Sequence, residues 1–225
     1  MTALKIGFSV VHFTRGNRKM KANILAFTCC VAVASLSGCA LTTEQIELNY
    51  TQQAGVSRIA GAEKVAVNVQ VADQRLDKSK VSSKKNGYGM EMAPITAAED
   101  VAVTVRKAIE QELQARGFQL GSDTALVKIA ADLTRFYNDH KTGFFSGDAV
   151  ADLNMSVTVK PGNGNLLFSR QIVAQSMEPN TQLMNGNNAK LALGRALENG
   201  MKMLFEDQAF LSALVASSGA KSASK

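Results

Sequence analysis

The chain has 225 residues, enough for one domain of ordinary size together with targeting and tail segments. Its formal charge of +6 is a value found among proteins that bind nucleic acid or anionic membranes. Five basic residues and no acidic residue precede Cys39, so the chain from Cys39 onward carries a formal charge of only +1. Nucleic-acid binding is therefore not favoured.

The first predicted element is an apolar segment at residues 24–36, which follows the basic Lys21. It has the length of a signal-peptide core and is too short for a membrane-spanning helix. Leu36-Ser37-Gly38-Cys39 then has the pattern of a bacterial lipobox. We predict that residues 1–38 are a signal peptide cut before Cys39, in preference to a buried helix that happens to end in Gly-Cys. Met20 is a plausible start, with residues 1–19 as an upstream extension or a longer basic region.

Cys39 is the predicted lipid acceptor, and a triacyl group on its thiol would hold the protein stably to a membrane. The other two cysteines, Cys29 and Cys30, lie in the leader. The mature chain is thus expected to contain no disulfide, thiol nucleophile or cysteine-ligated zinc. Ala40 stands where an aspartate often signals inner-membrane retention, which favours the outer membrane, with the protein facing the periplasm. Residues 39–62 are predicted to be mainly a tether, with a possible edge strand at 46–50.

The predicted domain, residues 63–216, contains elements in the order β-α-β-β-β-α. Alternating apolar residues predict strands at 64–72, 125–136, 149–160 and 165–175. The first helix is expected to begin at the capping box Thr96-Ala97-Ala98-Glu99 and to end at Gly117, with Phe118 folding back on Leu113. The second carries its apolar face on Leu193, Ala196, Leu197, Gly200, Met201 and Leu204, where Gly194 and Gly200 would permit close approach to a neighbour. Residues 76–94 are expected to form a loop and residues 217–225 a disordered tail.

The element order predicts the architecture. A right-handed crossover makes the first two strands parallel, and the remaining strands are expected to form an antiparallel meander. We predict an α+β fold, a two-layer sandwich in which both helices cover one face of a four-stranded mixed sheet.

Few residues offer catalytic chemistry. His140 is the single histidine after Cys39, which excludes a histidine triad or a two-histidine metal site within one mature chain, and it is expected to be solvated in a turn. Asp132 and Asp152 could form a carboxylate pair on adjacent strands, although two solvated side chains are favoured. Residues 143–147 lack the spacing of a phosphate-binding loop. We predict no catalytic residue, cofactor or metal.

Three features could serve recognition. Asp73-Gln74-Arg75 ends the first strand, where Arg75 could bind a carboxylate or phosphate; a local turn is the favoured alternative. The basic run at 78–85, within the loop at 78–89, could contact anionic lipid or an acidic partner, although an ordinary solvated loop is favoured. Phe144 and Phe145 could form an exposed apolar tip, or fold back over the end of the sheet.

The lipobox, the strand exit Ala72-Asp73-Gln74-Arg75, and the helix end Gln114-Ala115-Arg116-Gly117-Phe118 followed by Gly121 together resemble the YajG-type family of uncharacterised bacterial lipoproteins. The resemblance runs from the lipobox to the last helix. It implies a small α+β outer-membrane lipoprotein of Gram-negative bacteria and assigns no catalytic residue. The sequence differs from that family in its upstream extension and in the basic loop at 78–89.

These observations favour a non-enzymatic lipoprotein whose domain binds an envelope protein or polymer. An accessory lipoprotein of an envelope assembly or of a lipid or lipopolysaccharide transport system is the alternative, by analogy of element order alone. A carboxylate-dependent envelope hydrolase is a third class and is the least favoured.

Overall fold

The computed structural model describes residues 42–121, 125, 127–142, 147–162, 164–181 and 184–219. These residues form eight strands, three α-helices and one short 3-10 turn at Ala62–Lys64. The strands are β1 (Glu44–Ile46), β2 (Ala66–Asp73), β3 (Ser82–Lys85), β4 (Glu91–Ala97), β5 (Gln119–Leu120), β6 (Val127–Thr142), β7 (Gly147–Pro161) and β8 (Phe168–Thr181). The helices are α1 (Val101–Ala115), α2 (Gly186–Phe205) and α3 (Gln208–Gly219).

The larger sheet has five strands in the order β5-β2-β6-β7-β8. β2 lies parallel to β5 and β6, whereas β6, β7 and β8 are antiparallel neighbours. The predicted parallel pair and antiparallel meander are therefore confirmed. Alternate residues of β7 point into the core because one face of the sheet is covered, as Leu153, Met155 and Val157 illustrate.

β6 continues beyond residue 136, where the predicted strand ends. A β-bulge changes which of its residues face inward and so interrupts the alternation on which that prediction was based. Leu133 pairs with Met155, but the next pair joins Arg135 to Asn154, so one residue is inserted. Ile129 and Leu133 are buried before the bulge, and Phe136 and His140 are buried after it. The prediction that His140 lies in a solvated turn is wrong, since its side chain is 2% exposed within the strand.

A second sheet, in the order β1-β4-β3, includes residues 82–85 and 91–94 of the segment predicted to be a loop at 76–94. β3 and β4 are antiparallel, and β1 is parallel to β4. The prediction of a loop is therefore wrong. β3 was missed because it has no alternation of apolar residues, although its Ser82 and Ser83 are buried. A hydrogen bond from the Asn138 N–H to the Val81 carbonyl, 2.8 Å long, joins the residue before β3 to β6.

Helix α1 begins later than the predicted capping box and ends where expected. Asp100 is the N-cap, and its carboxylate accepts a hydrogen bond from the Ala102 N–H at 2.8 Å. Thr96 instead lies in β4, where it pairs with Gln45 of β1. At the other end, Gly117 has φ of +96° and the Phe118 N–H donates to the Leu113 carbonyl at 3.0 Å. This is the predicted Schellman motif.

Helix α2 packs against β6, β7 and β8 through the face predicted from its sequence. A Cβ on Gly200 would lie 2.9 Å from a methyl of Leu153, so this glycine does allow close approach. A Cβ on Gly194 would meet nothing within 4 Å, so the same expectation for Gly194 is wrong. Helix α3 adds Phe210, whose ring lies 5.4 Å from the rings of both Phe168 and Phe205.

Residues 42–62 make contacts that a free tether would not make. β1 lies at 44–46 instead of within the possible strand at 46–50, and Ile46 is buried. Ile59 donates its N–H to the Arg116 carbonyl at 2.9 Å. At the other terminus, helix α3 includes residues 217–219, which were expected to begin the disordered tail.

The mixed α+β class is thus confirmed, whereas the four-stranded sheet and the β-α-β-β-β-α order are wrong. The structure adds β1, β3, β4, β5 and the third helix to the predicted elements. In the described part of the chain, none of the helices has the length and apolar character needed to cross a membrane.

Candidate functional site

The Asp73-Gln74-Arg75 motif lies at the exit of β2, and its arginine is 7% exposed. The guanidinium binds the Asp73 carboxylate through Nε at 3.0 Å and Nη2 at 2.9 Å. It also donates to three main-chain carbonyls, those of Lys78, Lys80 and Phe136, at 3.1 to 3.5 Å. Arg75 therefore joins β2, the following loop and β6. The contacts of Arg75 are those of a local turn, which was the favoured alternative to binding an external carboxylate or phosphate.

The electrostatics of Asp73 agree with this structural role. Burial alone would raise the pKa of Asp73. The hydrogen bonds and positive charge of Arg75 outweigh burial, and the pKa lies below its ordinary value. The carboxylate consequently stays ionised and paired, which suits a fixed support and not a proton-transfer group.

The fixed turn displays Leu76, whose side chain is fully exposed. A groove of about 490 Å³ is bounded by the end of β2, residues 78–81, the end of β4 and the start of α1. A second groove, of about 380 Å³, is lined by Leu76 together with Glu91, Arg135 and Tyr137. Arg75 and Lys80 line both grooves. The two grooves and Leu76 are called the Leu76 surface below.

The basic segment at 78–89 is largely neutralised by acidic side chains. Lys80 binds Glu91 at 2.6 Å, and Lys84 lies 3.2 Å from Glu44. Lys85 binds Asp139 at 2.5 Å. These pairs hold the β3–β4 hairpin to β1 and β6, so three of its lysines serve the fold, and attraction to anionic lipid loses support.

The two aspartates considered as a catalytic pair have different neighbours. Asp132 lies opposite Ser156, whereas Asp152 lies opposite Tyr137 on the same strand pair. Four residues of β7 separate these positions, a distance of about 13 Å along a strand. Asp152 is bound by Arg135 at 2.8 Å and by the Gln175 amide at 2.9 Å. The structure does not bring the two carboxylates together.

His140 lies among polar groups near Asp139, Glu44 and Lys85, with the backbone of Asn185 close to its ring. Burial lowers its pKa below the ordinary value. Across the described residues, no group of three or more His, Cys, Asp or Glu side chains has the arrangement of a metal site. Cys39, Phe144 and Phe145 lie outside the described residues.

Sequence reasoning missed a buried ion pair between Glu112 and Arg116, one turn apart on α1. The fully buried Glu112 carboxylate also accepts from the Tyr50 hydroxyl at 2.5 Å and from the Gln53 N–H at 2.8 Å. Burial and the hydrogen bond to Glu112 raise the pKa of Tyr50 far above its ordinary value. Arg116 also lies 4.5 Å from the centre of the Phe205 ring. The four-residue spacing of Glu112 and Arg116 was the available signal, but the same spacing also brings charged pairs together on exposed helix faces.

A known protein family matches most of the chain. Its family model, Lipoprotein_16, described as an uncharacterized lipoprotein, matches residues 52–214. The chain belongs to this lipoprotein family. Membership implies a membrane lipid anchor. The matched range contains both the Arg75 turn and the Glu112–Arg116 pair.

One solved structure supports the fold. A crystal structure of a Xanthomonas campestris protein of the DUF330 family is similar with a TM-score of 0.51 and 12% identity, covering 80% of this chain and 99% of that one. A minor lipoprotein from Acinetobacter baumannii has a TM-score of 0.36 and 9% identity, covering 62% of this chain and 91% of that one. The second score is too low to support an argument. A search of curated proteins gave no match.

Proposed function

We propose that this protein is a non-enzymatic, YajG-type lipoprotein of the outer membrane. It is anchored through acylated Cys39 and faces the periplasm, where its domain binds an envelope protein or polymer. The family match supports the lipid anchor, and the lipobox supports Cys39 as its site. Residue 40 is alanine and not the aspartate that often signals inner-membrane retention, which supports a location in the outer membrane.

The observation that carries the binding role is the Leu76 surface. A fully exposed leucine lines one of two grooves that share Arg75 and Lys80, and the residue before it is held by hydrogen bonds to Asp73 and to three carbonyls. A rigid support lowers the entropy lost on binding, and an exposed apolar side chain with charged side chains around it suits a macromolecular partner. Two candidate residues instead contact neighbours within the fold: Arg75, considered for binding an anion, binds Asp73, and Asp152, considered for a catalytic pair, binds Arg135.

The anchor is tested by replacing Cys39 with Ser in the full chain. We expect loss of incorporated radiolabelled palmitate and release of the protein from the membrane fraction. Cys30→Ser is the matched control, because Cys30 lies in the leader and its loss should leave labelling and retention unchanged. Retention of the Cys39→Ser variant would contradict the anchor.

The membrane is tested with Ala40→Asp. The protein with Ala40 should sediment with outer-membrane markers in a sucrose gradient, and the variant should move to the inner-membrane fraction. Identical inner-membrane sedimentation of both forms would contradict the proposed location.

The binding role is tested by placing a photo-crosslinking amino acid at Leu76 in cells. A discrete, reproducible product at position 76 is expected, with none from the same probe at the exposed Val173 on β8. Equal products at both positions, or none at Leu76, would contradict binding at this surface.

A further inference from the structure

The turn between β3 and β4 displays apolar side chains. Tyr88 is 90% exposed and Met90 is 58% exposed, and Met92, next to the turn at the start of β4, is 39% exposed. The turn is nevertheless well defined: the Asn86 side-chain carbonyl accepts from the N–H groups of Tyr88 and Met90, each at 3.0 Å. The Gly89 N–H donates to the Asn86 main-chain carbonyl at 2.9 Å. A fixed backbone thus presents an aromatic and two thioether side chains to the surroundings.

The strand register places this turn on the side from which the anchor segment enters. β1 runs parallel to β4, with Glu44 beside Ile95. The chain before Glu44 therefore enters from the end of the sheet where β4 begins. Cys39 precedes Glu44 by five residues, just as Met90 precedes Ile95 by five. Five residues span at most about 17 Å, so the chain allows the acylated Cys39 no greater distance than this from Glu44.

The charges around the turn favour apolar contact over electrostatic attraction. The nearby Lys80, Lys84 and Lys85 are each bound to an acidic side chain. Tyrosine suits the headgroup region, because its ring is apolar and its hydroxyl stays hydrated. Methionine adds a flexible apolar side chain.

We propose that the β3–β4 turn contacts the phospholipid bilayer that holds the acyl chains of Cys39, with Tyr88 and Met90 entering the headgroup region. The proposal rests on the lipid anchor proposed above. It adds a second point of membrane contact, which would limit rotation of the domain about its anchor.

Tryptophan quenching tests this contact. The chain contains no Trp, so Tyr88→Trp provides a unique fluorophore. The full-length, lipidated protein is purified from membranes and placed in vesicles of phosphatidylethanolamine and phosphatidylglycerol, with and without brominated acyl chains. Bromine should reduce emission from position 88 about twofold, as expected for a ring in the interface.

Leu166→Trp is the matched control, since Leu166 is 57% exposed and lies near the opposite end of the strands. Its neighbour Leu167 donates to the Val159 carbonyl, and Val159 pairs with Ile129. β6 meets the β3 region at Asn138, nine residues farther on, about 30 Å along a strand. Emission from position 166 should be unchanged by bromine.

The outcomes separate the two proposals. If the protein does not float with the vesicles, the lipid anchor is wrong and the membrane contact falls with it. If the protein floats but positions 88 and 166 are quenched equally, the anchor stands and the contact is overturned. Quenching at position 88 that persists in high salt supports the apolar contact, and its loss in high salt would overturn that explanation.

Discussion

Replacing Glu112 with Ala should destabilise the domain strongly. The fully buried carboxylate is bound to Arg116 and also accepts hydrogen bonds from Tyr50 and Gln53. Its removal leaves the guanidinium of Arg116, which is 7% exposed, without its anionic partner. Removing one member of a buried pair costs about 3–5 kcal/mol, a large fraction of the roughly 5–15 kcal/mol that stabilises a typical domain.

The assay is urea unfolding of the full chain followed by far-ultraviolet circular dichroism. Glu110→Ala is the control on the same helix, because its pair with Arg106 is partly exposed and 3.8 Å long. That control should cost under about 0.5 kcal/mol. The double variant Glu112→Leu with Arg116→Leu should recover only part of the loss, since it removes both buried charges but still leaves the Tyr50 hydroxyl and the Gln53 N–H without their acceptor. A loss below about 1 kcal/mol in Glu112→Ala would refute the reasoning.

Three further sets of substitutions test contacts within the fold. Arg75→Ala should lower the free energy of unfolding by about 3–5 kcal/mol, whereas exposed Gln74→Ala should change it by under about 0.5 kcal/mol in the same urea assay; equal effects would contradict the Arg75 support. Burial lowers the pKa of His140 in the folded protein, so the unfolded chain takes up a proton first as the pH falls. The free energy of unfolding should therefore decrease by at most about 1.4 kcal/mol per pH unit, from pH 6.5 down to the pKa of His140 in the folded protein. His140→Met should remove that slope in urea titrations across this range, and an unchanged slope would assign it to other groups. Gly194→Ala should raise the melting temperature, because it adds about 0.5–1 kcal/mol of helix stability in open space, whereas Gly200→Ala should not, since its methyl would meet Leu153; a reversed order would contradict the packing.

The elements predicted correctly are those whose signal is local. Alternation in β2 and β7 follows directly from a sheet with one covered face, and it survives in the structure. The end of α1 was predictable because Gly117 takes a backbone conformation that other residues rarely adopt. These patterns needed no knowledge of distant residues.

The elements missed depend on residues far away in the chain. β3 reads Ser-Ser-Lys-Lys, and its lysines are held by Glu44 and Asp139, which no local pattern reveals. In β6 the bulge after Leu133 reverses the alternation, so the buried His140 appeared to belong to a turn. Both errors come from applying a regular period where tertiary contacts interrupt it.

The residues that carried the family resemblance have structural roles in the fold. Arg75 binds three carbonyls, two on the loop after β2 and one on β6, and Arg116 binds Glu112 and the side chain of Gln53. A guanidinium that serves the fold cannot be distinguished by sequence from one that faces a ligand, since burial decides the difference. The candidate for recognition is therefore the exposed Leu76 and not the neighbouring Arg75.

Cys39 is the residue on which the proposed function depends most, and mass spectrometry of the mature N-terminus tests it most directly. The protein is extracted from membranes of cells that express the full chain, and its N-terminal peptide is sequenced by fragmentation. We predict that the peptide begins at Cys39 and carries the mass of a diacylglyceryl group and an amide-linked acyl chain. A mature protein that begins at Met1 or Met20, with an unmodified thiol at Cys39, would contradict the proposed anchor.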